Sequence, residues 1–304
     1  MELDLTSLMT EQRNLQTSSI DTLGTLDILT KINQEDQVVS LAVKKVLPQI
    51  SMAVDFISNA FENGGRLFYI GAGTSGRLGV IDAAECPPTF STPPEQVQAI
   101  IAGGAVAMFD AVEGAEDDEW QGRADLLTHQ LTGQDVVVGI TASGRTPYVI
   151  GAIEAAREKG LKTVSLSCNP DSLISKLVDQ SIEVVVGPEI LTGSTRMKAA
   201  TAQKMVLNML TTASMIKIGK VYENLMVDVN ATNLKLMERA KHIVMNVTGI
   251  TYQDAQELLE KTGYEVKTAI VMHKADVPLV VAKESIKKSN GFVKKAIEAA
   301  RRFK

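Results

Sequence analysis

The chain has 304 residues, of which 45% are hydrophobic and 22% charged, and a formal net charge of −5. These proportions fit a globular protein with a substantial buried core and exclude a disordered or fibrous chain. Its two cysteines, Cys86 and Cys168, form neither a CxxC pair nor a zinc-like cluster, so no disulfide framework, metal or other cofactor is expected.

The charge is unevenly spread. Residues 231–304 carry 14 Lys/Arg against 8 Asp/Glu, a surplus of +6 that leaves −11 for the rest. No nucleic-acid motif or aromatic interleaving accompanies the surplus, so it reads as the solvated face of a small helical domain, with neither nucleic acid nor membrane as partner. The start lacks the basic patch and apolar run of a secretory signal. The most apolar helical stretch, residues 205–218, is too short and too polar to span a bilayer. A cytoplasmic protein is expected, with that stretch as a core or interface helix.

In chain order, residues 20–63 read as helices, strongly periodic over 36–61 and interrupted at Pro48. Short apolar runs follow at 67–70, 97–101, 136–140, 163–166 and 182–186, most of them followed within a few residues by Gly, Thr or Asn, with helical periodicity in most of the gaps. Near-continuous apolar strands alternating with helices predict an α/β fold with a parallel sheet covered on both faces. From about Asn233 onward short amphipathic helices follow without a convincing strand. One of them starts at Thr251, with Asp254 three residues on, and stops at Gly263. The expected division is a helical segment over 1–55, a central domain over 56–228 and a small helical domain over 229–304.

In a parallel sheet, ligands bind beyond the carboxyl ends of the strands, so the loops after Ile70 and Ile140 are where chemistry is expected. The first, Gly71-Ala-Gly-Thr-Ser-Gly76, matches the dinucleotide pattern GxGxxG. The second strand, however, ends in Ile101-Ala-Gly-Gly104, with no acid to hold a ribose, and the dinucleotide reading fails. Thr74 and Ser75 instead offer hydroxyls and amides at a helix N-terminus, unless Ser75 serves only as its cap. The second loop, Thr141-Ala-Ser-Gly-Arg-Thr146, places three hydroxyls and Arg145 at another helix start, which suits a phosphate. Neither loop continues into GK[ST], which disfavours nucleoside triphosphates. A third loop, Gly187-Pro-Glu-Ile-Leu-Thr-Gly-Ser-Thr-Arg-Met-Lys198, has the same character.

These segments carry a resemblance. GxGTSGR and [ST]xSGxT are similar to the loops of sugar isomerase (SIS) domains, and GPExLTGSTRxK resembles the signature shared by etherases and the glucokinase regulatory protein. Thr10-Glu-Gln-Arg-Asn14, Ile20-Asp21, Asp82-Ala-Ala-Glu-Cys86 and Glu113-Gly-Ala-Glu-Asp-Asp118 resemble the N-acetylmuramic acid 6-phosphate etherase family in particular. The likeness covers essentially the whole chain. It implies a three-layer αβα sandwich with a flavodoxin-like parallel sheet, N-terminal helices and a C-terminal helical domain. It also implies a homodimer with its site near the subunit interface, and cleavage of a lactyl ether by elimination and then hydration, without a cofactor. By the same resemblance Thr74 and Ser75 contact the sugar, and Thr141, Ser143 and Thr146 hold the phosphate. Arg145 and Arg196 serve anionic groups, Glu85 is the acid and Glu116 the base.

Elimination needs one carboxylate ionised and another protonated. Charge alone would make the run Glu113, Glu116, Asp117, Asp118, Glu119 a solvated helix start; the resemblance raises Glu116 to a catalytic role. Glu85 lies about three turns along the helix that leaves the first loop, ahead of Pro87-Pro88, where that helix is expected to end. A neighbouring subunit would have to bring it to a site. Two rival functions share the loops. A sugar-phosphate isomerase needs no acid aimed at C3. A non-catalytic regulator like the glucokinase regulatory protein resembles two such domains in tandem, and this chain has room for one.

Overall fold

A computed structural model gives the architecture and describes residues 8–229 and 233–302. The first seven residues of the expected N-terminal segment lie outside that range. The five apolar runs form β1 (Leu67–Gly71), β2 (Val97–Ile101), β3 (Val136–Ile140), β4 (Lys162–Ser167) and β5 (Gln180–Glu183). They pair in parallel in the order β2-β1-β3-β4-β5. This is the flavodoxin-like order, with its switch point between β1 and β3. Both of these strands are buried along their whole length, which is why neither alternates in sequence. β5 lies two residues earlier than its apolar run suggests. Ser167, the last residue of β4, pairs with Glu183 and accepts from the Val184 amide at 2.8 Å, and the ladder stops there. Val184 and Val186 are nevertheless buried, so burial rather than pairing made the run apolar.

Before the sheet, α1 (Thr25–Lys45) and α2 (Leu47–Glu62) meet at Val46, with Pro48 in the first turn of α2, where its missing N–H costs nothing. The sheet helices are α3 (Gly73–Phe90), α4 (Glu119–Leu127), α5 (Pro147–Glu158) and α6 (Lys198–Lys217). Phe68 and Ile70 pack with Leu126 of α4 and with Tyr148, Val149 and Ile153 of α5. Tyr69 points to the opposite face, where a Cβ built at Gly79 of α3 would lie 3.1 Å from its own Cβ. Its hydroxyl donates to the buried Asp82 carboxylate at 2.9 Å. That carboxylate also accepts from Asn208 Nδ2 at 2.6 Å and Thr211 Oγ1 at 3.2 Å, both on α6. Burial pushes the Asp82 carboxyl above its ordinary range although these donors pull the other way. The apolar stretch anticipated as a core or interface helix forms α6, with Val206, Leu207, Leu210 and Met215 fully buried.

A helix boundary departs from expectation as well. α3 does not stop at Pro87-Pro88 but runs on to Phe90. Proline's fixed φ is compatible with a helix; what it removes are the N–H groups that would reach the carbonyls of Ala83 and Ala84. The chain divides into two compact units at this place. One contains the chain up to Ala84 together with Glu95–Thr211, and the other Glu85–Pro94 together with the chain from Thr212 onward.

The second unit holds a hairpin of β6 (Val221–Tyr222) and β7 (Leu225–Met226), strands too short to show a period in sequence. Five helices follow: α7 (Leu234–Thr248), α8 (Tyr252–Thr262), α9 (Val266–Ala275), α10 (Leu279–Lys288) and α11 (Val293–Arg301). Their apolar stripes enclose Val244, Leu259, Ile270 and Ala296. Thr251 caps α8 by accepting from the Asp254 amide, and Gly263 ends it at φ 65°, as the sequence predicts. No helix among the described residues is long and apolar enough to cross a membrane.

At the amino-terminal edge of the sheet the fully buried Asp135 carboxylate joins β3 to the start of β1. It accepts from the Arg66 amide at 2.8 Å, from Arg66 Nη2 at 2.7 Å and from the Thr132 amide at 2.7 Å. Burial alone would raise this carboxyl, but the Arg66 and Thr132 donors outweigh it and hold it below the usual range. A depressed acid contributes stability above its unfolded pKa and loses it as pH falls through the folded value. Asp135→Asn should therefore cost about 3 kcal/mol at neutral pH, with the gap to the parent closing in acid. Urea midpoints measured from neutral pH to about pH 3 check this, and a gap that stays constant would overturn it.

Candidate functional site

β1 passes into α3 through one residue, Ala72. This close junction needs glycine at two places. A Cβ at Gly71 would lie 2.7 Å from the Gly76 nitrogen, and one at Gly76 would lie 2.8 Å from the Gly71 oxygen. The amides of Gly73, Thr74 and Ser75 therefore open the helix beyond the carboxyl end of β1 with no carbonyl one turn behind them. Ser75 is not the cap but the third helical residue. Its hydroxyl donates to Gln203 Oε1 of α6 at 2.9 Å, and both side chains are buried.

The loop after β3 is organised around the Thr141 hydroxyl. It pairs with Thr146 Oγ1 at 2.7 Å and Ser143 Oγ at 3.3 Å, and accepts from the Gly144 amide at 3.2 Å. Gly144 has φ +72°, and a Cβ there would fall 2.3 Å from Ser172 Cβ, so this turn also requires glycine. Thr146 occupies the N-cap position of α5, yet its side chain caps nothing. Its hydroxyl stays in the loop cluster, above a helix start with Pro147 in first place.

The third loop behaves differently. The buried Glu189 carboxylate accepts from the amides of Lys198 at 3.0 Å and Ala199 at 2.9 Å. The start of α6 is thus already filled by a carboxylate of the chain itself, so this third helix start has no place left for a ligand anion. Gly193 and Thr195 of the same loop do reach the site.

These loops enclose a cleft of ≈ 330 Å³ within the first unit. Thr74, Ser75, Thr141, Ser143, Arg145, Thr146 and Glu116 all line it, so seven of the nine residues singled out from sequence come together. Glu116 sits on the 3-10 turn Ala115–Asp117, whose Gly114 cap is left-handed. Arg196 is exposed and outside the lining, although its neighbour Thr195 is part of it. Glu85 is also outside, exposed on the stretch of α3 that belongs to the second unit.

Sequence reasoning missed Glu11, Asp117 and Leu8, which line the cleft too. Leu8 and Glu11 come from the opening segment, which is anchored by Asn169. Asn169 Oδ1 accepts from the Thr10 amide at 3.3 Å, and its Nδ2 donates to Thr10 Oγ1 at 3.0 Å and to the Ala142 carbonyl at 2.9 Å. The signal available was the Thr10-Glu-Gln-Arg-Asn14 motif itself. The cleft is thus lined by the hydroxyls of Thr74, Ser75, Thr141, Ser143, Thr146 and Thr195, by Arg145, and by the carboxylates of Glu11, Glu116 and Asp117. Among the described residues no group of His, Cys, Asp and Glu side chains could hold a metal ion. His129 packs edge-on against Phe68 at 5.4 Å, and burial followed by nearby Arg66 lowers its pKa.

Three family models match the chain. They are the glucokinase regulatory protein N-terminal SIS domain over residues 49–157, the SIS domain over 112–213, and the C-terminal lid domain of glucokinase regulatory protein over 223–297. Among curated relatives, N-acetylmuramic acid 6-phosphate etherase of Rhizobium rhizogenes is 56% identical over 296 residues, covering 97% of this chain and 96% of that one. The chain belongs to the N-acetylmuramic acid 6-phosphate etherase family. Its Bacillus subtilis member is 56% identical over 97% of each chain, and the Klebsiella aerogenes member is 54% identical over 98% and 99%. Among solved structures, phosphoheptose isomerase from Neisseria gonorrhoeae is 19% identical, covers 64% of this chain and 98% of that one, and has a TM-score of 0.47.

The Ser75–Gln203 bond separates two roles for this serine. Among the described residues Gln203 Nε2 has no hydrogen-bond partner, so removing the Ser75 hydroxyl leaves the buried amide of Gln203 with neither end satisfied by them. Ser75→Ala should cost about 1–3 kcal/mol of stability without any ligand present. Thermal unfolding of the free protein tests this, and an unchanged midpoint would leave Ser75 a binding role only.

Proposed function

We propose that this chain cleaves the D-lactyl ether of N-acetylmuramic acid 6-phosphate, releasing N-acetylglucosamine 6-phosphate and D-lactate. Its near full-length likeness to the etherases supports the substrate. The observation that carries the chemistry is the cleft, which a hydroxyl-lined helix start and the Glu116 carboxylate line together. Thr141, Ser143 and Thr146 hold the phosphate, with Arg145 nearby, and Thr74 meets the sugar. With the sugar open as its aldehyde, Glu116 takes the C2 proton and the C2–C3 double bond forms. The C3–O bond breaks, its electron pair stays on the lactyl oxygen, and Glu85 protonates that oxygen. Water then adds across the double bond. Glu85 does not line the cleft, so a second copy of the chain supplies it, and the working enzyme is a homodimer.

Lactate release from N-acetylmuramic acid 6-phosphate by the purified protein is the first test, and its absence would leave an isomerase or a sensor. The two glutamates separate in heavy water. Glu85→Gln should exchange the C2 hydrogen while releasing almost no lactate, and Glu116→Gln should lose both. Each loss should be about 10²–10⁴-fold in rate. The opposite pattern would reverse the roles, and normal release by both variants would remove the assignment.

Phosphate recognition is tested separately. Replacing Ser143 and Thr146 together by alanine should weaken binding by about 2–4 kcal/mol, as expected for hydrogen bonds to a charged group. Unchanged affinity in the folded double variant would place the phosphate elsewhere.

A further inference from the structure

Beside the cleft lies a smaller recess of ≈ 170 Å³, and the two share Ala72, Gly73 and Glu116. The recess is walled by small apolar side chains, Ala102, Ala107, Ala111 and Val112, and contains one cation, Arg77. Arg77 is half-buried. Its Nε donates to the Met108 carbonyl at 3.3 Å and its Nη2 to the Asp110 carbonyl at 3.2 Å. Those bonds fix the guanidinium in place and use two of its five N–H donors. Among the described residues no carboxylate forms an ion pair with it.

A half-buried guanidinium that forms no ion pair among the described residues, in a recess walled by methyl groups, suits a small anion that carries an alkyl group. We propose that this recess takes the lactyl arm of the substrate, with Arg77 on its carboxylate and the alanine wall against its methyl. The assignment rests on the etherase reading above. The N-acetyl group also presents a methyl and an oxygen, but it is neutral and would leave the guanidinium without an ion pair. Glu113 lines the recess as well. It is exposed, so water screens it from the lactyl carboxylate. What repulsion remains helps the free lactate to depart once the C3–O bond has broken. Glu116 stands where the two spaces join. A sugar in the cleft with its lactyl arm in the recess therefore carries its C2–C3 bond past that carboxylate.

The test compares Arg77→Ala, Arg77→Lys and Ala111→Leu with the parent in lactate release. It also compares inhibition by N-acetylglucosamine 6-phosphate, the same sugar without the lactyl arm. Arg77→Ala and Ala111→Leu should lower kcat/KM by about 10- to 100-fold, mainly through KM, with inhibition unchanged. Arg77→Lys should recover part of the loss, because it keeps the charge but not the fork. Ala111 is exposed, so its leucine variant fills the recess without straining the core, and it stands as a test if Arg77→Ala misfolds. Parent-like kcat/KM in both Ala111→Leu and Arg77→Lys would overturn the assignment. So would a parallel loss of inhibition, which would place the sugar or its N-acetyl group in the recess. A parent protein that releases no lactate would overturn the etherase reading and this assignment with it.

Discussion

The first turn of α3 rides so low on the end of β1 that neither Gly71 nor Gly76 can carry a Cβ, and the cleft is built outward from this contact. It aims the free amides of α3 along the switch point between β1 and β3, where the chain's connections diverge and leave a crevice. Farther along α3, Asp82 gathers Tyr69 of β1 with Asn208 and Thr211 of α6, so strand and both helices are held as one body. Ser75 repeats the link within the first turn of α3, through Gln203. A helix fixed at its first turn and again at Asp82 has little freedom to shift, and the hydroxyl loop after β3 meets a rigid wall.

The cleft's polarity follows from which helix starts are left open. At α5 the N-cap side chain of Thr146 makes no capping bond, whereas Glu189 fills the start of α6. The hydroxyls of Thr141, Ser143 and Thr146 line the cleft where α5 begins. The carboxylates of Glu11, Glu116 and Asp117 line the same cleft, so hydroxyls and acids share one space.

The parallel sheet, its five strands and the two loops that line the cleft were legible because each rests on a local rule. Fully buried strands read as apolar runs, and glycines mark places where backbones approach closely. Features that depend on distant partners were not legible. β5 was misplaced because Val184 and Val186 are buried without belonging to the ladder. Pro87-Pro88 did not end α3, since a proline forbids a hydrogen bond, not a helical φ. Nothing local shows that Glu189 would cap a helix nine residues on, or that Asn169 would draw Glu11 to the cleft. Glu116 stands in a run of acids that charge patterning cannot tell from a solvated surface, and only the resemblance to known etherases singled it out.

The division of the chain at Ala84 and again at Thr211 falls inside helices both times, with Glu85–Pro94 assigned to the unit otherwise made of the carboxyl-terminal part. The two units are therefore interleaved in the gene rather than joined end to end. Cutting at residue 211 would not yield a clean pair of modules, because one fragment would keep a ten-residue piece whose packing partners had been lost. Recombination within this family would have to exchange both units together, and a library of chimaeras with a single crossover near residue 211 should be poor in folded members.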